Sequence, residues 1–206
     1  MDLSTWFPED GSFERWQDAR DKVLNPEKYD TPKESEWLNY YVGVDLGRVR
    51  DYSAAAIIEF KYAPSGKRFH YVKYLKRFPL NTTYTKIAEM LAGIDRQLRA
   101  YAEGAGKEAD IAWAVDSTGV GDGVCEIISS KIPLADIYRV YLTGGINANI
   151  DYKNRQIRLP KNQMLSCLLG CFDSDRIFLS KKSRELDAIK EELRKELFTY
   201  FYCQPQ

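Results

Sequence analysis

Tyr40-Tyr41-Val42-Gly43-Val44-Asp45-Leu46-Gly47 decides the fold class. An apolar run this short, closed by a carboxylate and a glycine, reads as a buried strand whose end opens to solvent. Working outward, Tyr52 to Phe60 reads as a second strand, Pro64-Ser65-Gly66 as a turn, and Phe69 to Leu75 as a third strand. Ile87, Leu91, Ile94, Leu98 and Tyr101 recur at spacings of four and three, which predicts an amphipathic helix over 82–103. Ile111 to Val115 repeats the opening theme as a fourth strand that ends at Asp116. A glycine-containing loop, Ser117 to Gly121, then feeds a helix carrying Val124, Ile127 and Ile128, and Ile137 to Leu142 is a fifth strand. An irregular stretch leads to a helix from about Lys161 to Phe172, a short strand at Ile177–Leu179, and a charged helix over Ser183–Leu197. Three strands in succession followed by β-α-β crossovers imply an α/β protein with a mixed sheet flanked by helices.

The first forty residues read differently. Asp10-Gly11-Ser12 predicts the start of a short helix presenting Phe13, Trp16 and Leu24, and Pro- and Glu-containing sequence follows up to Trp37. The chain is therefore divided into an acidic extension or linker over 1–39 and a folded domain over 40–206. The extension's aromatic residues need something to pack on, either the body of this chain or another domain or subunit.

The 206 residues carry 30 basic and 30 acidic side chains, but the balance hides an uneven distribution. Residues 1–40 hold ten acidic and five basic residues, so the rest of the chain is net positive by five. Stretch 48–77 alone has eight basic residues against Asp51 and Glu59, and 139–161 has five against Asp151. Zero net charge thus does not remove a nucleic-acid partner. No apolar run is long enough to span a membrane and no signal peptide opens the chain, so a cytoplasmic location is expected.

Asp45 and Asp116 are the leading candidates for chemistry. If their strands are parallel neighbours, both carboxylates project from adjacent strand ends, where ligands of open α/β sheets gather. Two such carboxylates repel unless a cation lies between them, and hard oxygen donors suit Mg²⁺ or Mn²⁺. Aspartates after strands also serve as turn formers and helix caps, and Asp116 before Ser117-Thr118-Gly119 could simply order a loop. Cys125, Cys167, Cys171 and Cys203 form no CxxC pair, and the chain has one histidine, so reduced, buried thiols are expected. His70 is expected as a surface or half-buried strand residue. Strand alternation would put Arg68, His70, Tyr74 and Lys76 on one face and Lys73 on the other. No G-x-x-x-x-G-K-[ST] phosphate loop is present.

Val42-Gly43-Val44-Asp45-Leu46-Gly47-Arg48 with Asp51-Tyr52-Ser53-Ala54 resembles the opening hairpin of the nuclease domain of phage terminase large subunits. Val115-Asp116-Ser117-Thr118-Gly119-Val120-Gly121-Asp122 resembles that family's second acidic motif, the most specific piece. Thr143-Gly144-Gly145, Leu159-Pro160-Lys161 and Arg176-Ile177 follow in the family's order, and the resemblance covers roughly 40–200.

The resemblance implies an RNase H-like fold and an endonuclease that cuts double-stranded concatemeric DNA during phage packaging, in the host cytoplasm. It implies Asp45 and Asp116 as catalytic metal ligands for Mg²⁺ or Mn²⁺, two ions in all. It also implies a packaging ATPase domain, a small terminase subunit and a portal as partners. Asp51 and Asp122 match too, the first more in keeping with a hairpin organiser and the second with a helix cap. Arg48, Arg50 and Lys161 are candidate DNA contacts. The family's third carboxylate, on a C-terminal strand-helix unit, has no counterpart before Gln206, and Asp187 and Glu191 read as solvated helix charges. A non-catalytic DNA-binding module of the same fold and a Holliday-junction resolvase-like nuclease remain alternatives. An actin-like ATPase would need a second domain.

Overall fold

The computed structural model describes residues 13–15, 36–47, 51–63, 65–119 and 122–180. Arg48, Arg50, the helix expected over Ser183–Leu197 with Asp187 and Glu191, and Cys203 lie outside the described residues.

Among the described residues nine strands form one sheet: β1 (Phe13–Arg15), β2 (Trp37–Asp45), β3 (Ala54–Tyr62), β4 (Arg68–Arg77), β5 (Glu108–Asp116), β6 (Asp136–Thr143), β7 (Asn149–Asp151), β8 (Gln156–Pro160) and β9 (Ile177–Ser180). Three helices join them: α1 (Tyr84–Gly104), α2 (Asp122–Lys131) and α3 (Lys161–Asp173). The spatial order is β1-β9-β4-β3-β2-β5-β6-β8-β7. β2, β3 and β4 form an antiparallel meander, and β5 and β6 add in parallel on the far side of β2. This central arrangement, with helices on both faces, is the RNase H-like mixed sheet expected from the sequence.

Alternation along the strands divides the two faces. Val42, Val44, Ile57, Trp113 and Val115 point to one side, where they are buried with Ile87, Leu91 and Leu98 of α1 and Ile128 of α2. Thr83 starts α1 by accepting the Lys86 backbone N–H on its hydroxyl, at 3.3 Å, satisfying one of the first turn's free donors. α3 packs on the other face, where Leu168, Cys171 and Phe172 gather with Ile58, Val72, Leu75 and Ile177.

Two expectations are corrected. Phe13–Arg15 is not helical: it pairs antiparallel with β9, whose edge offers the unpaired backbone donors and acceptors that a helix start would have to forgo. The simple alternation along β4 also fails, because the β3–β4 register shifts between Ile57 and Ile58. One extra residue turns Tyr74 into the main core, away from the side of Arg68 and His70. Lys73 at the irregularity is buried with Glu59, Nζ to carboxylate 2.8 Å.

The stretch read as irregular after β6 contains the β7–β8 hairpin, too short and polar for a periodicity signal. Cys125 is buried beside the Ser117 hydroxyl at 3.0 Å, as expected. Cys167 is exposed, against the expectation, because it sits at the edge of the packed stripe of α3, one turn before the half-buried Cys171.

Candidate functional site: paired carboxylates at neighbouring strand ends

β2 and β5 run parallel in register up to Val44 opposite Val115, so the next residues, Asp45 and Asp116, leave the sheet side by side. Parallel pairing is what places them together. Both strands are buried on their α1 face by Val44 and Val115, so the residues after these point to the opposite face.

The two acids are held differently. Asp116 accepts the Thr118 backbone N–H on Oδ1 at 2.8 Å, and the Thr118 hydroxyl accepts the Leu142 N–H at 2.7 Å. The Ser117 N–H donates to the Val140 carbonyl at 2.8 Å. The loop after β5 is thereby stitched to β6, with Asp116 engaged through Oδ1. Asp45 has no such partner among the described residues. Its position comes from the backbone behind it: the Gly47 N–H donates to Ser53 Oγ at 3.1 Å, and the Tyr84 hydroxyl donates to the Gly47 carbonyl at 3.2 Å. A Cβ on Gly47 would lie 2.2 Å from the Asp51 carbonyl oxygen, so only glycine lets the chain fold back this tightly after Asp45.

Burial raises the Asp45 carboxyl above the ordinary aspartate range, the neighbouring Asp116 raises it further, and Asp51 adds to the effect. The Asp45 side chain reaches solvent, so water screens much of this repulsion. A shared divalent cation would relieve it. Two carboxylates with water completing the shell are a normal donor set for Mg²⁺, so the residues present fit a hard cation. Among the described residues no group of three or more Asp, Glu, His or Cys side chains is arranged to hold an ion.

The acids line one end of a cleft of about 440 Å³ on the α3 side of the sheet. Gly43, Ala54, Ala56 and Ala114 lie along the strands beneath it, Met164 reaches it from α3, and Lys76 and Arg77 belong to its lining on β4. Arg77 also lies over the Tyr52 ring at 5.0 Å. Lys76 and Arg77 belong to the basic stretch 48–77 noted in the sequence, whereas the small residues and Met164 were not singled out from it. The alternation of Gly43 with Asp45, and of Ala54 with Ala56, was the available signal.

The other expected residues are dispersed. Lys161 is exposed at the start of α3, at the same end of the sheet but roughly 15 Å from Asp116 by strand spacing and rise. Asp51 reaches Asp45 only through its charge. Asp122 opens α2 and accepts a hydrogen bond from the Tyr141 hydroxyl, with Arg139 at 3.6 Å, so it is engaged away from Asp116. The Asp122 bond holds the Tyr141 hydroxyl above its usual range. His70 is half-buried on β4, as expected, and desolvation lowers its pKa.

Fold and site together define an α/β protein of RNase H-like topology with a carboxylate pair at adjacent parallel strand ends. No protein-family model matches the chain, and no curated protein matches it. Among solved structures it is similar to the manganese-soaked nuclease domain of the human cytomegalovirus terminase. The TM-score is 0.45 at 17% identity, covering 79% of this chain and 73% of that one. At such identity the chemistry must be argued from this chain's own residues.

Proposed function

We propose that this chain carries the metal-dependent DNA endonuclease domain of a phage packaging terminase, over 40–206, with 1–39 as an acidic extension. Its substrate is double-stranded concatemeric DNA, and it acts in the host cytoplasm with a packaging ATPase domain, a small terminase subunit and a portal. The observation that carries the reading is the side-by-side exit of Asp45 and Asp116 into one cleft. The motif resemblance around both residues supports it independently.

Asp45 and Asp116 would hold the divalent ions, two of Mg²⁺ or Mn²⁺. When bound, such ions supply Lewis-acid activation of water and charge stabilisation at a phosphodiester. The chain's own groups do the rest. Thr118 fixes one oxygen of Asp116, so the other is presented in a single orientation. The Gly47–Ser53–Tyr84 bonds stop the β2 end from swinging away from β5. Lys76 and Arg77 attract phosphate into the cleft, and Lys161 extends that attraction along the same end of the sheet. Arg48 and Arg50 are proposed as further phosphate contacts.

The test is plasmid nicking in Mn²⁺ or Mg²⁺ by the wild type and by Asp45→Ala and Asp116→Ala. Cleavage that needs the metal and both acids is expected. Cleavage that persists in EDTA or in either variant would refute the assignment. Salt-sensitive DNA binding without cleavage under any condition would favour a non-catalytic DNA-binding module instead.

A further inference from the structure

Gly43 stands in the middle of β2, where glycine weakens a strand, and its conformation does not explain it. It is absent from the positive-φ glycines, and a Cβ built on it would meet nothing within 4 Å. A glycine required by neither backbone nor packing marks a place where something outside the chain comes close to the strand. The register extends this point into a surface. Gly43 pairs with Ala56 of β3 on one side and Ala114 of β5 on the other, and Asp45 pairs with Ala54 in the next row. Three adjacent strands therefore present a floor with no side chain longer than a methyl. It is about 10 Å across and one row, about 7 Å, from the carboxylates. Val140 and Leu142 wall it on the β6 side and Leu75 on the β4 side, and the Met164 thioether reaches it from α3.

Resting on the nuclease reading above, we propose that this floor is a nucleobase subsite, seating one unpaired base of the strand being cut. A flat apolar floor fits the face of an aromatic ring, and methionine sulfur makes favourable contacts with such rings. Lys76 and Arg77 on β4 give the charge complementarity that a nucleotide's phosphate needs and a purely apolar occupant does not. A base stacked inside a duplex shows only its edges to the grooves, so a base lying flat here must first leave its stack. The scissile position is then a locally opened nucleotide, and opening the duplex becomes part of specificity.

The probe is a single-stranded oligonucleotide carrying 2-aminopurine, titrated with the full chain in Ca²⁺ to support binding without turnover. A rise in fluorescence is expected, because the base leaves the neighbouring bases that quench it for an aliphatic floor that does not. Gly43→Leu fills the floor from open space, and Ala114→Leu does so from the adjacent strand if the first variant folds poorly. Each should weaken single-strand binding tenfold or more, while the Mn²⁺-induced rise in melting temperature stays intact.

Unchanged affinity in both folded variants would overturn the subsite. So would a wild-type complex that leaves the probe's fluorescence unchanged, as when another part of this chain or a second copy fills the cleft. Equally tight, floor-dependent binding of a fully paired probe with no rise in fluorescence would overturn the requirement for an unpaired base. Absence of the Mn²⁺ response in the wild type, with a floor-dependent rise in fluorescence retained, would sink the nuclease reading and leave the subsite standing.

Discussion

Replacing Asp45 by asparagine should make the metal-free protein more stable. Asp45 lies one register step beyond the Val44–Val115 pair, beside Asp116, on strands about 4.8 Å apart, so the carboxylates sit at about 5 Å. Two like charges at that distance repel by about 0.8 kcal/mol in water and about 3 kcal/mol at an effective dielectric of 20. The Asp45 side chain reaches solvent, which puts the value near the lower end, about 1 kcal/mol. Asparagine keeps the shape and removes the charge, and for a chain of this size that gain is about 2–4 °C in melting temperature. Divalent metal must act in the opposite sense. An ion held by both acids at a hundred times its Kd stabilises the wild type by about 2.7 kcal/mol. The Asp45→Asn protein forfeits most of that. Thermal melts of both proteins in EDTA and in Mn²⁺ should therefore cross, with the variant higher without metal and the wild type higher with it. Asp110→Asn, an exposed acid earlier on β5, the strand of Asp116, is the control and should shift neither curve. A variant that melts at or below the wild type in EDTA would show that the two charges do not oppose each other, and the geometric basis of the site would fall with it.

Glu59→Gln should destabilise strongly, by about 3–5 kcal/mol or on the order of 10 °C, because it leaves the buried Lys73 ammonium without its carboxylate. The paired replacement Lys73→Met with Glu59→Leu should recover most of this in the same melts. Burial lowers the Lys73 pKa while Glu59 opposes the shift, so the folded state binds fewer protons there than the unfolded chain. Wild-type stability should therefore rise as pH passes from that lowered value toward about 10, and Lys73→Met should flatten the rise in urea titrations over the same range. Gly47→Ala should cost about 1–3 kcal/mol, since its Cβ would overlap the Asp51 carbonyl, and should weaken Mn²⁺ binding by calorimetry. Normal metal affinity in a folded Gly47→Ala protein would argue against the tight turn as the support of Asp45. Thr118→Val should leave the Leu142 N–H without its acceptor and reduce cleavage, and Thr118→Ser should restore it.

What was legible in the sequence was whatever depends on a short repeat. The 3.6-residue period of Ile87, Leu91, Ile94 and Leu98 delivered α1, and apolar runs ending in aspartate delivered β2 and β5 with both acids. Phe13–Arg15 and the β7–β8 hairpin escaped because they carry no unbroken apolar run such as the one that marked Ile177–Leu179, and strands that short and polar are fixed by the edge they meet. Tyr74 escaped for a different reason. Its side is set by a register shift between Ile57 and Ile58, a relation between two strands that neither strand's sequence contains alone.

The same reasoning explains why the acids were readable and the floor beside them was not. A carboxylate after an apolar run is anomalous by itself, and its chemistry can be inferred from one position. Gly43, Ala56 and Ala114 are each unremarkable, and Ala54-Ala55-Ala56 opens a strand with residues of poor strand propensity. They acquire meaning only when antiparallel pairing with β3 and parallel pairing with β5 bring them into one row. Selection for strand stability alone would put β-branched residues there, since Gly43 has open space above it and its backbone is ordinary. Their smallness is a cost in sheet stability borne on one face only, beside the two strand-end acids Asp45 and Asp116. A face kept bare next to a charge pair is better explained by what must lie on it than by how the sheet folds.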